Sequence, residues 1–232
     1  MRKLLLSLSL ALVASVSTMA QNVQLHYDFG HLDKDKDSRP ALTTTVEMFR
    51  PDKWGNTFFF VDMNYKNSGV ESAYWEIARE LKFWKAPIAA HIEYNGGTSN
   101  QFSYNDAYLI GPSYSWNNKD FSTGFTVMAL YKYLAKVQKR NSFQLTATWY
   151  HNMCGGLLTT SGFADLWNDC DANGQYTVFI TEPQLWFNFN KLRGVDPNFN
   201  LSVGTEWEFS YNFPYRNKTF SWNPTLAIKW TF

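Results

Sequence analysis

The residues best suited to binding chemistry are aromatic rings and side-chain oxygens that recur at alternate positions. Phe58, Phe60 and Asp62 follow at every second position, and a second run of this kind begins at Glu182. Aromatic rings stack on flat heterocycles at about 1–3 kcal/mol per base, and carboxylates and amides accept hydrogen bonds from hydroxyl and amino groups. The candidate binding residues of these types are Phe58, Phe60, Asp62, Glu76, Tyr150, Glu182, Gln184, Trp186 and Glu206.

Other kinds of site chemistry lack their residue patterns. The four histidines show no metal-ligand spacing, and two cysteines are too few for a cysteine-based zinc site. The segment 33–37 begins like a calcium loop, but Ser38 and Thr44 stand where that loop needs Gly and Glu. Ser142 and His151 lie at opposite ends of one expected strand, too far apart for a serine hydrolase pair. We therefore predict no catalytic residue, no metal and no cofactor.

The elements that would position these residues are strands, because apolar and polar side chains alternate along most of the chain. From Phe220 to Phe232 every second residue is apolar while those between are mostly polar, and 201–211 repeats the pattern. A period of two indicates strands whose faces meet different surroundings. We expect strands at 22–30, 41–50, 56–66, 72–84, 87–96, 105–116, 121–132, 142–151, 156–168, 176–189, 199–212 and 219–232.

The N-terminus resembles an export signal. Arg2 and Lys3 precede the apolar stretch 4–16, and Thr18-Met19-Ala20 offers small residues before a cleavage point. This order is typical of a secretory signal peptide, and the stretch is shorter than the roughly 20 residues of a membrane-spanning helix. We expect a signal peptide at residues 1–20 and a single mature domain at 21–232.

Composition narrows the class of protein. Hydrophobic residues make up 45% of the 232 residues, which excludes a disordered chain. The formal net charge of +1 argues against a nucleic-acid partner. Aromatic residues reach 18%, although the mean hydropathy is only −0.35. A transmembrane β-barrel reconciles these values, because its lumen-facing half is polar.

The predicted fold is all-β: an antiparallel transmembrane β-barrel of about 12 strands in the cell outer membrane. Lipid cannot satisfy backbone polar groups, so a sheet in lipid must close on itself. Short turns after alternate strands, at 51–55, 85–87 and 117–120, with longer connections in the other gaps, are typical of such barrels. A soluble secreted β-sandwich or lipocalin-like barrel would also alternate, but would rarely carry so many outward Trp and Phe.

Two residue types leave questions at this stage. Arg79 falls on the expected lipid face, so either a bulge shifts the register there or Arg79 lies near the periplasmic interface. Cys154 and Cys170 flank the expected strand 156–168, whose ends lie beyond the roughly 7 Å limit for bridged Cα atoms. If that segment is a loop instead, an oxidising periplasm would allow the bridge. We predict no disulfide.

Five segments together resemble the nucleoside-specific channel-forming protein Tsx family of outer-membrane channels. They are Trp54-Gly55-Asn56-Thr57-Phe58-Phe59-Phe60-Val61-Asp62, Ala73-Tyr74-Trp75-Glu76-Ile77-Ala78-Arg79, Gly162-Phe163-Ala164-Asp165-Leu166-Trp167, Thr181-Glu182-Pro183-Gln184-Leu185-Trp186 and Val203-Gly204-Thr205-Glu206-Trp207. Asn56 departs from the family pattern, which commonly has an acidic residue there, and Ala78 replaces the usual Pro. The resemblance implies a twelve-stranded barrel, a narrow passage and passive uptake of nucleosides.

The expected function is that of a monomeric outer-membrane channel, without enzymatic activity, for passive diffusion of nucleosides or similar small polar solutes. Its expected partners are those solutes and outer-membrane lipid. The alternative is an outer-membrane barrel without transport: a barrel enzyme, an adhesin or a structural anchor. Each polar candidate residue also has a structural alternative, in which it pairs with a lumen Arg or Lys and holds the barrel round.

Overall fold

The computed structural model describes residues 20–33, 39–66 and 69–232. Apart from Ala20, the predicted signal peptide lies outside the described residues, and so does most of the calcium-like segment. The strands are β1 Ala20–Asp28, β2 Leu42–Asp52, β3 Gly55–Lys66, β4 Gly69–Leu81, β5 Ile88–Ser99, β6 Ala107–Asn117, β7 Thr123–Leu134, β8 Asn141–Met153, β9 Leu158–Asp171, β10 Gly174–Thr181, β11 Gln184–Asn188, β12 Leu201–Tyr211 and β13 Phe220–Thr231. Short 3-10 turns cover Phe29–Leu32, Cys154–Gly156 and Phe189–Lys191.

The strands form one closed antiparallel barrel. β1 pairs with β2 on one side and with β13 on the other, so that Asn22 lies opposite both Glu47 and Thr231. The other strands pair with their sequence neighbours around the ring, and no sheet edge is left open, as lipid requires. β10 and β11 together fill one position between β9 and β12, which makes twelve positions. The predicted twelve-stranded barrel is confirmed.

The break between β10 and β11 lies at Glu182 and Pro183. Pro183 has no N–H to give to the ladder, but its carbonyl accepts from the Trp207 N–H at 3.0 Å. The Glu182 N–H donates to the Phe163 carbonyl at 3.1 Å, so the backbone on both sides stays satisfied. Gly162 faces this break: a Cβ there would lie 2.6 Å from the Glu182 carbonyl oxygen. Because Gly162 has no Cβ, the backbone at Glu182 can lie this close to it.

The outer wall of the barrel is apolar and rich in aromatic residues. Large hydrophobic side chains along the strands are strongly exposed, for example Leu226 at 54% and Ile77 at 49%. Aromatic residues gather toward the rims, as with Trp116 stacked on Phe125 at 5.7 Å and Phe209 on Trp222 at 6.4 Å. Aromatic girdles at both interfaces are a property of outer-membrane barrels, so this wall is the lipid-facing surface. Among the described residues, no helix has the length and apolar character needed to cross a bilayer.

The inner wall carries the alternate residues, many of them polar and buried. Gln24, His26, Ser210 and Asn223 are each less than 5% exposed. The interior is not uniformly polar, however, because two apolar clusters also point inward. The first consists of Ala107, Leu109, Leu130 and Leu134, and the second of Trp167, Val178 and Ile180. Side chains therefore fill part of the lumen.

The connections depart from the predicted division into short and long turns. β1 begins and β13 ends at one end of the barrel, called here the terminus end; the other is the loop end. The predicted connection at 169–175 is instead a tight turn at the loop end, because β9 continues to Asp171 and β10 begins at Gly174. The connection 189–200, at the terminus end, is long. Polar residues at the ends of β9 and β10 pair with each other across the hairpin, as Asn168 does with Thr177. Their polarity alone therefore predicts a longer loop than the structure has.

The two questions left by the sequence have structural answers. The register around Arg79 is regular, with Thr57 opposite it. Its guanidinium donates to both Asp52 oxygens, at 2.7 and 2.9 Å, beside the turn at the terminus end. Arg79 therefore lies at the rim, and no bulge is needed. Cys154 and Cys170 are free thiols at the two ends of β9.

Candidate functional site

All nine candidate binding residues have the inward-facing parity of the barrel wall. Eight of them are half-buried, whereas Trp186 is wholly buried. They come from two opposed walls: β3 and β4 on one side, and β8 through β12 on the other. Because strand alternation fixes which side chains point inward, the sequence places the set in the lumen without any knowledge of the loops.

The first wall combines aromatic faces with hydrogen-bond acceptors. The ring centroids of Phe58 and Phe60 are 6.1 Å apart, and Phe60 lies 6.0 Å from Tyr74 on β4. The Tyr74 hydroxyl donates to a Glu76 oxygen at 2.6 Å. These distances lie within the range of favourable aromatic pairs. Three rings and a carboxylate thus line one side of the lumen.

On the second wall, Gln184 connects several of the candidate residues. Its amide nitrogen donates to Glu206 at 2.5 Å, while its oxygen accepts from the Trp186 indole at 2.9 Å and from Ser161 at 3.2 Å. The Lys229 ammonium lies 3.9 Å from the centroid of the Trp186 ring. One face of that indole is therefore covered, and Trp186 supports the wall rather than offering a free stacking face.

Tyr150 is held apart from the other aromatic candidates. Its hydroxyl donates to the side-chain oxygen of Asn117 at 2.8 Å, near the terminus end of β6 and β8. The structure therefore brings Phe58 and Phe60 together, but places Tyr150 at a mouth of the barrel.

Carboxylates from opposite walls come close enough to interact. Asp62 on β3 accepts from the Thr45 hydroxyl at 2.5 Å. It lies within electrostatic range of Glu182 and Glu206 on the opposite wall, and Glu208 lies within the same range of both glutamates. The break at Pro183 keeps Glu182 on the inward parity. We call Asp62, Glu182, Glu206 and Glu208 the first carboxylate group.

A second carboxylate group surrounds Lys132. Glu76, Glu93 and Asp165 all lie within electrostatic range of its ammonium. The Lys132 amine donates to the Gln144 oxygen at 2.7 Å and lies 4.6 Å from the Trp167 ring centroid. The group therefore draws on β4, β5 and β9, which are distant in sequence.

At the loop end, Arg39 reaches from the β1–β2 connection into the mouth. It contacts Asp28 and Glu208, each at 2.8 Å. Burial lowers the pKa of the Arg39 guanidinium, but Glu208 and then Asp28 raise it by more, so its pKa lies above the ordinary arginine value. Arg39 thus stays charged and ties the first loop to the lumen wall.

His91 is held between two carboxylates and has the surroundings of a structural residue. Its ring nitrogens lie 2.7 Å from Glu80 and 2.8 Å from Glu93. The nearby Ser113 hydroxyl donates to Glu80 and not to the imidazole. A serine–histidine pair is therefore not formed here. Within the described residues, no group of His, Cys, Asp and Glu side chains has the arrangement to hold a metal ion.

The candidate set from sequence omitted Arg39, Lys132 and Asp165. Alternation could have found two of them, because Lys132 lies between Tyr131 and Tyr133 and Asp165 between two apolar residues. Arg39 follows no strand pattern, and its contacts with Asp28 and Glu208 depend on β1 and β12 being brought close to it by the barrel.

Comparison with known proteins places the chain in a family. A family model described as "Domain of unknown function (DUF5020)" matches residues 20–232. The chain belongs to the DUF5020 family. Comparison of this DUF5020 chain with curated proteins gives no significant match.

Two solved structures similar to the DUF5020 barrel are porins. The NanC porin has a TM-score of 0.58 at 11% sequence identity, with 92% of this chain and 100% of that chain covered. The KdgM porin has a TM-score of 0.52 at 10% identity, with 92% and 99% covered. At these identities the likeness concerns the fold alone. This shared barrel fold, together with the apolar outer wall, indicates an outer-membrane location for the DUF5020 barrel.

Proposed function

We propose that this DUF5020 protein is an outer-membrane channel through which nucleosides or similar small polar solutes diffuse passively. The observation that carries the proposal is the inner wall, where the neighbouring, mutually tilted rings of Phe58, Phe60 and Tyr74 lie beside the acceptors Asp62 and Glu76. A flat base would stack on the rings while its ribose hydroxyls donate to the carboxylates. Such contacts must remain weak for the solute to leave the channel.

The comparisons support the coarser part of this proposal. The NanC and KdgM proteins are named as porins, and this chain shares their barrel fold. The preference for nucleosides rests on the Tsx-like segments and on the ring-and-carboxylate wall. We also propose that the barrel acts as a monomer, that residues 1–20 are its signal peptide, and that it has no enzymatic activity.

One observation favours a second candidate, a barrel without transport. Inward side chains such as Trp186, Leu109 and Ser210 are at most 1% exposed, so the interior is densely filled over part of its height. Complete filling would leave no path for a solute and would make the barrel an anchor or an adhesin.

Liposome swelling distinguishes the two candidates. Purified protein would be reconstituted into liposomes, and swelling would be followed in nucleosides and in sugars of equal size. We expect faster swelling in nucleosides than in the matched sugars. Equal rates would contradict the preference for nucleosides, and the absence of swelling in either solute would favour the barrel without transport. Liposomes without protein provide the baseline.

A further inference from the structure

The charges that face the lumen are strongly unbalanced. Among the described residues, two strand lysines and Arg39 point inward, and the inward acidic side chains outnumber them several-fold. Burying charges is costly unless they are paired, and nearby like charges repel. The inward carboxylates are those of Asp28, Glu47, Asp62, Glu76, Glu80, Glu93, Asp165, Asp169, Glu182, Glu206 and Glu208.

The lumen cations are already engaged by the wall. Arg39 is bound by Asp28 and Glu208. The Lys132 ammonium donates to Gln144, lies over an indole ring and is shared by Glu76, Glu93 and Asp165, which all lie within its electrostatic range. Lys229 lies over the ring of Trp186. Even a protonated His91 adds only one positive charge, and it is held between Glu80 and Glu93. The carboxyl groups in excess of these cations therefore have no cationic partner in the described part of the wall.

A separate observation points to a ligand position within the second carboxylate group. One oxygen of Glu93, Oε1, and the side-chain oxygen of Asn95, Oδ1, have no hydrogen-bond partner. Both side chains are more than nine-tenths buried, at 9% and 5% exposure. They lie two residues apart on the inward face of β5, opposite Ala78 and Glu76 on β4. Buried acceptors are nearly always satisfied, so two free oxygens on neighbouring inward positions of one strand indicate a position for a ligand.

We propose that the passage is selective for cations over anions, and that Glu93 and Asn95 offer their free oxygens to a small monovalent cation on its way through. Rings of acidic side chains select cations in other channels by the same electrostatics. Oxygen donors of a carboxylate and an amide suit K⁺ or an alkylammonium group, and Glu76 and Asp165 of the same group supply further carboxyl oxygens nearby. This inference rests on the proposed function, because it requires an open channel.

The test is the reversal potential of the purified protein in a planar bilayer under a tenfold KCl gradient. For a passage that conducts only K⁺, the reversal potential is about 59 mV, because a tenfold concentration ratio corresponds to about 59 mV per unit charge. Its sign is that of K⁺ flow down the gradient. We expect that sign and more than half of that value. A value near zero, or the opposite sign, would overturn the inference even though current flows. No current at all would instead contradict the proposed function.

Two variants and a control localise the effect. Glu93→Gln keeps an oxygen to accept from His91 but removes the charge, and Asp165→Asn keeps its acceptor for Thr146. We expect each to lower the K⁺/Cl⁻ permeability ratio at least twofold. Glu71→Gln removes a carboxylate at the rim, paired with Lys66 at 3.7 Å, and should leave the ratio unchanged. Heat-sensitive gel mobility shows whether each barrel is folded. If both folded variants retain the wild-type ratio, the proposed position is wrong.

Discussion

At the scale of single residues, aromatic side chains have two roles in the lumen: some offer a surface for binding, and others pack within the wall. Phe60 keeps aromatic neighbours on both sides, whereas Trp186 is wholly buried under Lys229. Gln184 bonds with three partners and so belongs to the wall. The structural alternative therefore fits Gln184 and Trp186 best, and the binding role is best supported for Phe58 and Phe60.

Phe60→Ala tests the binding role. Removing one stacking face should cost about 1–3 kcal/mol per bound base, and each 1.4 kcal/mol is tenfold in affinity. We expect the nucleoside concentration that half-blocks the ion current in a planar bilayer to rise roughly tenfold. Phe59→Ala, on the outward face of the same strand, should leave that concentration unchanged. Similar values for the two variants would show that Phe60 only packs.

Arg39 tests the connection between the first loop and the lumen wall. In Arg39→Gln, Asp28 and Glu208 lose their shared partner, and unpaired buried groups cost about 1–3 kcal/mol. We expect a lower free energy of unfolding in urea and a larger single-channel conductance, because the side chain no longer occupies the mouth. Arg140→Gln removes another loop-end arginine, one that bonds the Tyr133 hydroxyl at 3.3 Å, and should change neither quantity. An unchanged conductance in Arg39→Gln would mean that Arg39 does not restrict the passage.

At the scale of elements, alternation predicted the strands because lipid and lumen impose opposite demands on successive residues. The expected strand 56–66 agrees with β3 to within one residue at its start. The break at Glu182 and Pro183 could not be predicted, because the inward–outward parity continues through it. The inward apolar cluster of β6 and β7, which includes Leu109 and Leu130, could not be predicted either, because both faces of those strands are apolar and alternation does not distinguish them. Contacts between distant strands, such as Lys132 with Asp165, depend on barrel closure and not on local pattern.

Gly162→Ala tests whether the strand break requires a glycine opposite it. The new Cβ would lie 2.6 Å from the Glu182 carbonyl oxygen and 2.9 Å from the Pro183 Cα, so backbone must shift. Overpacking of this kind costs about 1–3 kcal/mol, which should appear in urea unfolding. Gly69→Ala is the matched control, because its φ of +145° resembles the +158° of Gly162 while nothing lies within 4 Å of the added Cβ. Equal losses in the two variants would attribute the effect to backbone angle alone.

At the scale of the whole molecule, the barrel separates two surroundings with one sheet. The outer wall exposes rows of Leu, Ile, Phe and Trp, while the carboxylates are turned inward. The position of Arg79 fits this division, because its charge lies at the rim and pairs with Asp52. A soluble barrel would hide the apolar rows in its core. The orientation of these rows therefore decides between the two kinds of barrel.

Leu226→Arg places a charge at the middle of β13 on the outer wall, where Leu226 is 54% exposed. In lipid, an arginine at the bilayer midplane costs about 2–4 kcal/mol, falling to about 0–1 near the interface. We therefore expect the free energy of folding into vesicles, followed in urea, to fall by that amount. For Leu81→Arg, at the last residue of β4 and on the same outer wall, we expect a much smaller loss. Because both changes replace Leu by Arg on the same wall, the difference between the two free-energy losses reports how deep each position lies in the bilayer. Equal and small losses would mean that the exposed rows face water, and would contradict the assignment of the outer wall to lipid.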